Sequence, residues 1–348
     1  MSQKTFTGRC FFEEIPRYKI KSTYIGDFLF QCDEEKNMQN LKNSQNFLVD
    51  KNLVRNLIQK SQLNKNDIVV EIGPGKGIIT NLLAEQVGNV IAIEYDENLY
   101  KALVSQNQFD NIEYVYDDFL KYHLPRNQKY KVFSNIPFQI TADIIKKITD
   151  DNNPAEDIFL IVQKEAAKKY CGMPFQKYEG LRAAVVKAQY QVEIIHTFNR
   201  RDFSPAPNVD TVLLHFKRKS NTLNQSDYKN YKDLVAYIYY QGKGDRVQDR
   251  LGVLFSNAQI RRLCKDNRIN PVDSYTKINS EQWMKIFTYS QIGLTEEKKR
   301  LVNNAYRRLE KVNKGLKKQN RTFLRKTSTS GQITKSSTTK RKKRLSDK

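Results

Sequence analysis

Residues 71–77 read Glu-Ile-Gly-Pro-Gly-Lys-Gly, and they directly follow the apolar run Ile68-Val69-Val70. The apolar run predicts a buried strand, and the apolar residues at 78, 79, 82 and 83 predict a helix after the glycines. Glycines at alternate positions let the backbone approach a ligand closely and turn into the start of a helix. Their spacing, G-x-G-x-G, differs from the G-x-G-x-x-G of dinucleotide-binding loops. A strand, a glycine loop and a helix in this order predict an α/β domain with a ligand at the strand end.

Further apolar runs follow this unit and alternate with helical patterns. They occupy residues 90–94, 112–116, 130–134 and 158–162. Such alternation indicates a doubly wound, mostly parallel sheet. Residues 191–198 and 211–217, joined through the loop 203–208, predict an antiparallel pair that closes the sheet. From residue 228 to about 291 the pattern is helical, which predicts a smaller second domain.

Two carboxylates follow neighbouring strands of this predicted sheet. Glu94 lies 21 residues after Gly73 at a strand end, where it could accept hydrogen bonds from both hydroxyls of a ribose. Asp118 follows the next strand and could accept from an adenine amine, while Phe119 could cover the ring. This set fits an adenosine without a pyrophosphate, which favours S-adenosylmethionine over NAD. The alternative is that both carboxylates are ordinary solvated strand ends.

Asn135-Ile136-Pro137-Phe138 follows the fourth strand. A proline cannot donate to a sheet ladder, and it keeps the preceding residue extended, so we expect the Ile136 carbonyl to point outward. Taken alone, the tetrapeptide could be a common turn. Beside a cofactor site the tetrapeptide could instead bind an adenine. The Asn135 side chain and the Ile136 carbonyl can accept hydrogen bonds from the N6 amine, which makes the nitrogen lone pair available for reaction. Phe138 could stack on the base, a contact worth about 1–3 kcal/mol.

The charge of the chain is concentrated at its carboxyl end. The 348 residues carry a formal net charge of +22, which predicts a polyanionic partner such as nucleic acid. Residues 295–348 contain 19 Lys and Arg against 4 Asp and Glu, and so hold +15 of that total. Apolar residues at helical spacing predict one basic helix over 296–324, and we expect the Ser/Thr/Lys-rich remainder to be disordered. The tail could tether the RNA backbone or only aid solubility.

Cysteine and histidine usage argues against a zinc site. The chain has 4 Cys and 3 His, all far apart and without a C-x-x-C pair. Unpaired thiols at such spacing suggest a reducing compartment. No apolar run approaches the roughly 20 residues needed to cross a bilayer, and the amino terminus lacks the apolar core of a secretion signal. We therefore expect a cytoplasmic protein without metal or membrane attachment, and a monomer.

Taken together, the motifs resemble those of the rRNA adenine N6-methyltransferases. This family includes the erythromycin-resistance methylases and the small-subunit dimethyladenosine transferases. The resemblance spans residues 43–217 and rests on a series of motifs. These are Ser44-Gln45-Asn46-Phe47-Leu48, residues 71–77, Glu94, Asp118, residues 135–138 and Phe203-Ser204-Pro205-Ala206-Pro207. It implies a Rossmann-like class I methyltransferase domain with a mostly parallel seven-stranded sheet, followed by a small all-helical domain.

The resemblance also implies the reaction and the residues that perform it. Methyl groups would pass from S-adenosylmethionine to N6 of an rRNA adenine. With Gly75 and Phe119 added from the pattern above, the predicted cofactor contacts are Asn46, Leu48, Gly73, Gly75, Glu94, Asp118, Phe119 and Asn135. The predicted target-base residues are Asn135, Ile136, Pro137 and Phe138. The expected divisions are an extension of unknown role (1–40), the methyltransferase domain (41–217), a helical RNA-binding domain (218–294) and the basic segment (295–348).

Two branches of the family differ in the ribosomal subunit that they modify. Ser-Gln-Asn-Phe and Asn-Ile-Pro-Phe resemble the resistance methylases, whereas the small-subunit enzymes more often have Gly-Gln and Asn-Leu-Pro-Tyr. The first branch implies an adenine of 23S rRNA near the peptidyl-transferase centre and resistance to macrolides, lincosamides and streptogramin B. Residues 163–166, Gln-Lys-Glu-Ala, are closer to the small-subunit enzymes, and the terminal extensions exceed the compact resistance enzymes. We favour the first branch.

Two further alternatives come from other classes of protein. The chain could be a non-catalytic nucleic-acid-binding protein on the same fold, as some mitochondrial transcription factors related to this family are. The presence of Glu94, Asp118 and Asn135 argues against that hypothesis. A DNA adenine methyltransferase would normally have Asp/Asn-Pro-Pro-Tyr/Phe where this chain has Asn-Ile-Pro-Phe.

Overall fold

The computed structural model describes residues 46–150 and 152–312, and a seven-stranded sheet forms its centre. The strands are β1 (Phe47–Leu48), β2 (Ile68–Ile72), β3 (Asn89–Glu94), β4 (Ile112–Tyr116), β5 (Lys131–Asn135), β6 (Asp157–Gln163), β7 (Tyr190–Thr197), β8 (Phe203–Ser204) and β9 (Thr211–Arg218). The order in the sheet is β4-β3-β2-β5-β6-β9-β7. Its first five strands are parallel, and β9 runs antiparallel to both β6 and β7. The predicted mostly parallel sheet and its closing antiparallel pair are therefore confirmed.

Eleven α-helices accompany these strands in the described part of the chain up to Val302. They are α1 (Lys51–Lys60), α2 (Ile78–Gln86), α3 (Glu97–Ser105), α4 (Thr141–Asp150), α5 (Lys164–Cys171), α6 (Leu181–Val186), α7 (Gln225–Gln241), α8 (Val247–Leu251), α9 (Asn257–Asp266), α10 (Ser280–Gly293) and α11 (Glu296–Val302). The helices from α7 onward follow the last strand without another strand between them, which confirms an all-helical carboxyl-terminal region. The predicted domain boundaries at 217 and 294 stay predictions.

Helices cover the two faces of the sheet because both faces of its central strands are apolar. In β2, Val70 and Ile72 belong to one core, together with apolar residues of α4. Val69, the residue before Val70, belongs to a second core, together with apolar residues of α1 and α2. Successive side chains of a strand point to opposite faces, so a continuous apolar run is what a sheet covered on both sides requires.

The sheet opens at the carboxyl ends of β2 and β5. β2 pairs with β3 along its whole length, but it pairs with β5 only through Val69 with Lys131 and Val70 with Val132. Beyond these pairs the hydroxyl of Ser134 joins the two strands. Its Oγ donates to the Ile72 carbonyl (2.6 Å) and accepts from the Ile72 amide (3.2 Å). The chain reverses its direction of winding between these strands, which is where doubly wound sheets have their ligand crevice.

The carboxyl-terminal region packs on the sheet domain through buried aromatic residues of α7. The Tyr231 hydroxyl donates to the Ala184 carbonyl of α6 (2.8 Å), and Tyr231 has no exposed surface. Trp283 of α10 is also fully buried. The Tyr231 ring therefore adds apolar burial while its hydroxyl keeps a hydrogen-bond acceptor.

The prediction of one basic helix over 296–324 is wrong at residues 303–304. Helix α11 ends at Val302, Asn304 takes a left-handed φ of +61°, and a new helical segment covers 305–312. Asp233, which is 3% exposed on α7, accepts from the amides of Asn304 (2.8 Å) and Tyr306 (3.0 Å). This buried carboxylate satisfies the first free amides of the new segment and so stabilises its start there.

Parts of the sequence-based prediction lie outside the described residues. They are the extension 1–40, Ser44 and Gln45 of the first motif, and the basic tail after residue 312.

We predict that Ser134→Ala destabilises the fold. The substitution leaves the buried amide and carbonyl of Ile72 without their partner, which should lower the free energy of unfolding by about 1–3 kcal/mol. Urea unfolding measures the loss. Ser105→Ala is the control, because its Oγ bonds only to Ala102 at an exposed helix end. Equal stability of both variants would contradict the bridging role of Ser134.

Candidate active site

The glycine loop after β2 needs glycine at each of its three glycine positions. Gly73, Gly75 and Gly77 have φ values of +67°, +60° and +78°, which residues with a Cβ rarely adopt. The ring of Phe47 closes over the loop, since a Cβ on Gly75 would lie 2.6 Å from Phe47 Cε1. Lys76 Nζ stands 5.0 Å from the centre of the same ring. The first motif of the chain therefore packs directly on the glycine loop.

Glu94 ties this loop to the end of β3. Its Oε2 accepts from the Gly75 amide (3.1 Å) and its Oε1 accepts from the Asp96 amide (2.9 Å). Burial raises the pKa of Glu94, and the backbone hydrogen bonds from Asp96 and Gly75 oppose that rise. Each carboxylate oxygen retains a lone pair, so the group can still accept from a ligand hydroxyl.

Glu71 is a second buried carboxyl in the same place, and the sequence reasoning did not assign it a role. Burial raises its pKa to about 8, and the nearby Glu94 charge adds to this rise, while the Thr80 hydroxyl opposes it. No described residue forms a hydrogen bond with its Oε2. With its pKa at about 8 the Glu71 carboxyl is largely protonated at neutral pH, so its Oε2 is free to exchange a hydrogen bond with a ligand. The signal in the sequence was an acidic residue inside an apolar strand.

The loop after β4 carries the second predicted cofactor carboxylate. Asp118 Oδ1 accepts from the Leu120 amide (3.0 Å), and Lys121 Nζ lies 3.6 Å from Oδ2. Phe119 is only 5% exposed and belongs to the core beneath the sheet, so its predicted contact with a base stays a prediction. Tyr95, which follows Glu94, is 55% exposed and is a further aromatic at these strand ends that sequence reasoning missed.

Asn135 is the last residue of β5, and its side chain has a defined orientation. Its Nδ2 donates to the carbonyl oxygen of Asn46 (2.8 Å), 89 positions earlier in the chain. With the amide nitrogen held there, Oδ1 is the acceptor that the side chain can offer to a ligand. The structure thus brings together two predicted site residues, Asn46 and Asn135.

The next three residues leave β5 beside the glycine loop. Ile136 is buried, and Pro137 has φ −60° and ψ 121°. A Cβ on Gly73 would lie 3.9 Å from Pro137 Cδ, so the two loops are in close contact. Phe138 starts a short 3₁₀ turn, and its carbonyl accepts from the amide and the hydroxyl of Thr141 (3.0 Å for the hydroxyl). The predicted cofactor loop and the predicted base-binding residues therefore share one crevice.

Two distant motifs meet in a small sheet next to this crevice. β1 pairs with β8 antiparallel, with Phe47 opposite Ser204 and Leu48 opposite Phe203. The Val49 amide extends the pairing to the Asp202 carbonyl (3.0 Å). Leu48 and Phe203 are buried in the same core, so a cofactor contact by Leu48 stays a prediction. Sequence reasoning identified both motifs but did not predict that they pair.

The described residues contain neither a metal-binding cluster nor a membrane-spanning helix. No group of three or more His, Cys, Asp or Glu side chains could hold a metal ion in that part of the chain. Within the same residues, no helix has both the length and the apolar character required to span a membrane.

Comparison with known proteins places the chain among RNA-modifying enzymes. The model of the family described as ribosomal RNA adenine dimethylase matches residues 36–291. The ribosomal RNA small subunit methyltransferase A of Francisella tularensis subsp. tularensis (strain SCHU S4 / Schu 4) is 29% identical over 233 residues, which cover 65% of this chain and 85% of that protein.

Two solved structures share the fold. The 23S rRNA methyltransferase ErmE aligns with a TM-score of 0.63 and 24% identity, covering 70% of this chain and 98% of that one. A dimethyladenosine transferase from Plasmodium falciparum aligns with a TM-score of 0.56 and 20% identity, covering 71% and 98%. Both likenesses support the Rossmann-like methyltransferase fold.

We predict that Gly75→Ala weakens the binding of S-adenosylmethionine at least about tenfold. The methyl group would clash with Phe47, and the left-handed conformation costs a residue with a Cβ about 1–2 kcal/mol. Isothermal titration calorimetry without RNA gives the affinity. Gly180→Ala is the matched control, because its φ is −83° and nothing lies within 4 Å of the added methyl. Wild-type affinity in Gly75→Ala would show that the loop does not hold the cofactor.

Proposed function

The chain belongs to the ribosomal RNA adenine dimethylase family and is an S-adenosylmethionine-dependent rRNA adenine methyltransferase, and we propose that it modifies N6 of one adenine in 23S rRNA. The main support for this function is the crevice between β2 and β5. There the glycine loop and residues 135–138 are in contact, and the Asn135 amide is oriented by Asn46.

We assign the cofactor to the crevice edge formed by β2, β3 and β4. S-adenosylmethionine, when bound, supplies a methyl group on a positively charged sulfur. Glu94 would accept from the ribose hydroxyls and Asp118 from the adenine amine, while Gly73 and Gly75 let the backbone approach. The remaining assigned contacts are Asn46, Leu48, Phe119 and Asn135. The buried acceptors at Glu71 and Glu94 and the three left-handed glycines support this assignment.

We assign the target adenine to residues 135–138. The lone pair of an adenine N6 is delocalised into the ring, so the amine is a poor nucleophile. Asn135 Oδ1 and the Ile136 carbonyl would accept its two hydrogens and favour a nitrogen with an available lone pair. Pro137 keeps Ile136 extended, and Phe138 would stack on the base after it leaves its helix. Proximity and alignment then supply most of the acceleration.

The motif residues favour 23S rRNA as the substrate. Asn135-Ile136-Pro137-Phe138 and Ser44-Gln45-Asn46-Phe47 resemble the resistance methylases at the positions where the two branches differ. On this reading, the modification would block macrolide, lincosamide and streptogramin B binding. We further propose a monomeric, cytoplasmic enzyme whose basic tail adds salt-dependent affinity for RNA.

A small-subunit rRNA is the second candidate substrate, and a specific observation favours it. The curated relatives that are 29% identical over 85% of their own length are named small-subunit methyltransferases. Residues 163–166 also resemble that branch. In this case the enzyme would dimethylate an adenine during ribosome assembly and would give no resistance.

Labelling with radioactive S-adenosylmethionine separates the two substrates. We predict methylation of protein-free 23S rRNA at a single adenine, mapped by primer extension, and no labelling of immature small subunits. Labelling of the small subunit alone would establish the second candidate. Labelling of neither RNA, under conditions where an authentic enzyme of each branch works, would contradict the proposed function.

We predict that Asn135→Ala lowers the rate of methyl transfer about 100-fold or more, because it removes an acceptor for the N6 amine at the reacting centre. RNA affinity, measured by filter binding, should stay within threefold of the wild type. Asn98→Ala, on the exposed start of α3, is the control for both assays. A parallel loss of RNA binding would show that Asn135 holds the RNA rather than the reacting amine.

A further inference from the structure

Lys147, on α4, donates hydrogen bonds to the backbone of the loop after β4. Its Nζ donates to the carbonyl oxygens of Phe119 (2.7 Å), Leu120 (3.0 Å) and Tyr122. The same nitrogen lies 5.1 Å from the centre of the Phe119 ring. An ammonium has three N–H donors, and here three backbone carbonyls of one short loop accept from it.

The geometry of the loop explains why it needs this cation. The Asp118 carbonyl accepts from the amides of Lys121 (2.7 Å) and Tyr122 (2.9 Å), and the Asp118 carboxylate accepts from Leu120. The amides therefore turn toward Asp118, while three carbonyls of the loop converge on α4. Converging carbonyl dipoles repel each other unless a donor lies between them, and partly buried carbonyls without donors are costly.

We propose that Lys147 is a positioning residue for cofactor binding: it holds residues 117–122 in the conformation that presents Asp118 to the adenine of S-adenosylmethionine. This inference rests on the proposed function only in that the chain must bind S-adenosylmethionine. The helix that carries Lys147 begins at Thr141, whose hydroxyl bonds to Phe138. One helix thus supports the cofactor loop near its end and the base-binding turn at its start.

The packing of α4 does not depend on Lys147. Ile144, Ile145 and Ile148 have no exposed surface, and they anchor the helix in the core beneath the sheet. The side chain of the preceding residue, Lys146, is 43% exposed and forms an ion pair with Glu310, which is not part of the loop. Lys146 and Lys147 therefore lie on the same helix and carry the same charge but contact different partners. A substitution of Lys146 is for this reason a matched control for the same substitution of Lys147.

The test compares Lys147→Met with Lys146→Met in the full-length protein. Calorimetry without RNA gives the dissociation constants of S-adenosylmethionine and S-adenosylhomocysteine. Methionine retains the apolar stem of lysine and loses the donors. We expect Lys147→Met to bind both ligands at least about tenfold more weakly and by the same factor, because they share the adenosine. Lys146→Met should bind within twofold of the wild type, and Lys147→Arg, which keeps a charged donor, should retain most of the affinity.

Two readouts separate positioning from general destabilisation. Amide hydrogen exchange should accelerate at residues 120–122 in Lys147→Met and stay unchanged in β2. At saturating S-adenosylmethionine, kcat on the labelled rRNA should recover, so that the defect lies in KM for the cofactor. If Lys147→Met does not fold, Lys147→Gln, which keeps a neutral donor but loses the charge and one of the three N–H groups, replaces it. We then expect a loss of affinity of at least about threefold with faster exchange at residues 120–122, and wild-type affinity would overturn the inference.

The outcomes that would overturn the inference are equally specific. Equal affinities in Lys147→Met and Lys146→Met would show that Lys147 does not position the loop. A loss of affinity in Lys147→Met without faster exchange at residues 120–122 would also contradict it. Failure of the wild type to bind S-adenosylmethionine would instead overturn the proposed function, so the two failures are distinguishable.

Discussion

The active site depends on the separation of β2 from β5. The two strands share only two backbone pairs, and Ser134 then bonds to both the amide and the carbonyl of Ile72. A side chain between two strands holds them farther apart than a ladder would, yet it leaves no buried backbone group unsatisfied. The glycine loop and residues 135–138 leave the sheet at the opening that results. The sheet is thus continuous enough to be stable and open enough to admit a ligand.

Segments remote in sequence close this opening from the outside. The pairing of β1 with β8 brings Phe47 over Gly75 and places the Asn46 carbonyl within reach of Asn135. The contact with Asn46 decides which atom of the Asn135 amide faces the crevice, and only the oxygen can accept hydrogen bonds from an amine. Orientation before binding lowers the entropy that would otherwise be lost when the substrate is aligned.

The crevice also contains two buried carboxyl groups. Glu71 and Glu94 are almost completely buried, and burial raises the pKa of both. A nearby positive charge favours the ionised form of a carboxyl, so binding of a cationic ligand such as S-adenosylmethionine should lower the pKa of both groups. Lys147 donates hydrogen bonds to carbonyls of the loop that carries Asp118, after the neighbouring strand β4. The site therefore combines two buried carboxyl groups, Glu71 and Glu94, with a lysine that is hydrogen-bonded to the backbone of the neighbouring loop.

The sequence alone determined the features that depend on neighbouring residues. The strand before Gly73, the glycine loop, the carboxylate at the end of β3 and the proline after Asn135 each follow from local period and residue type, and they were sufficient to predict the sheet and its crevice. The tertiary structure decided the pairing of β1 with β8, the orientation of Asn135, the three-carbonyl contact of Lys147 and the break at residues 303–304. Each of these joins positions far apart in the chain, or depends on a buried partner such as Asp233, and no periodicity in a single sequence records such contacts.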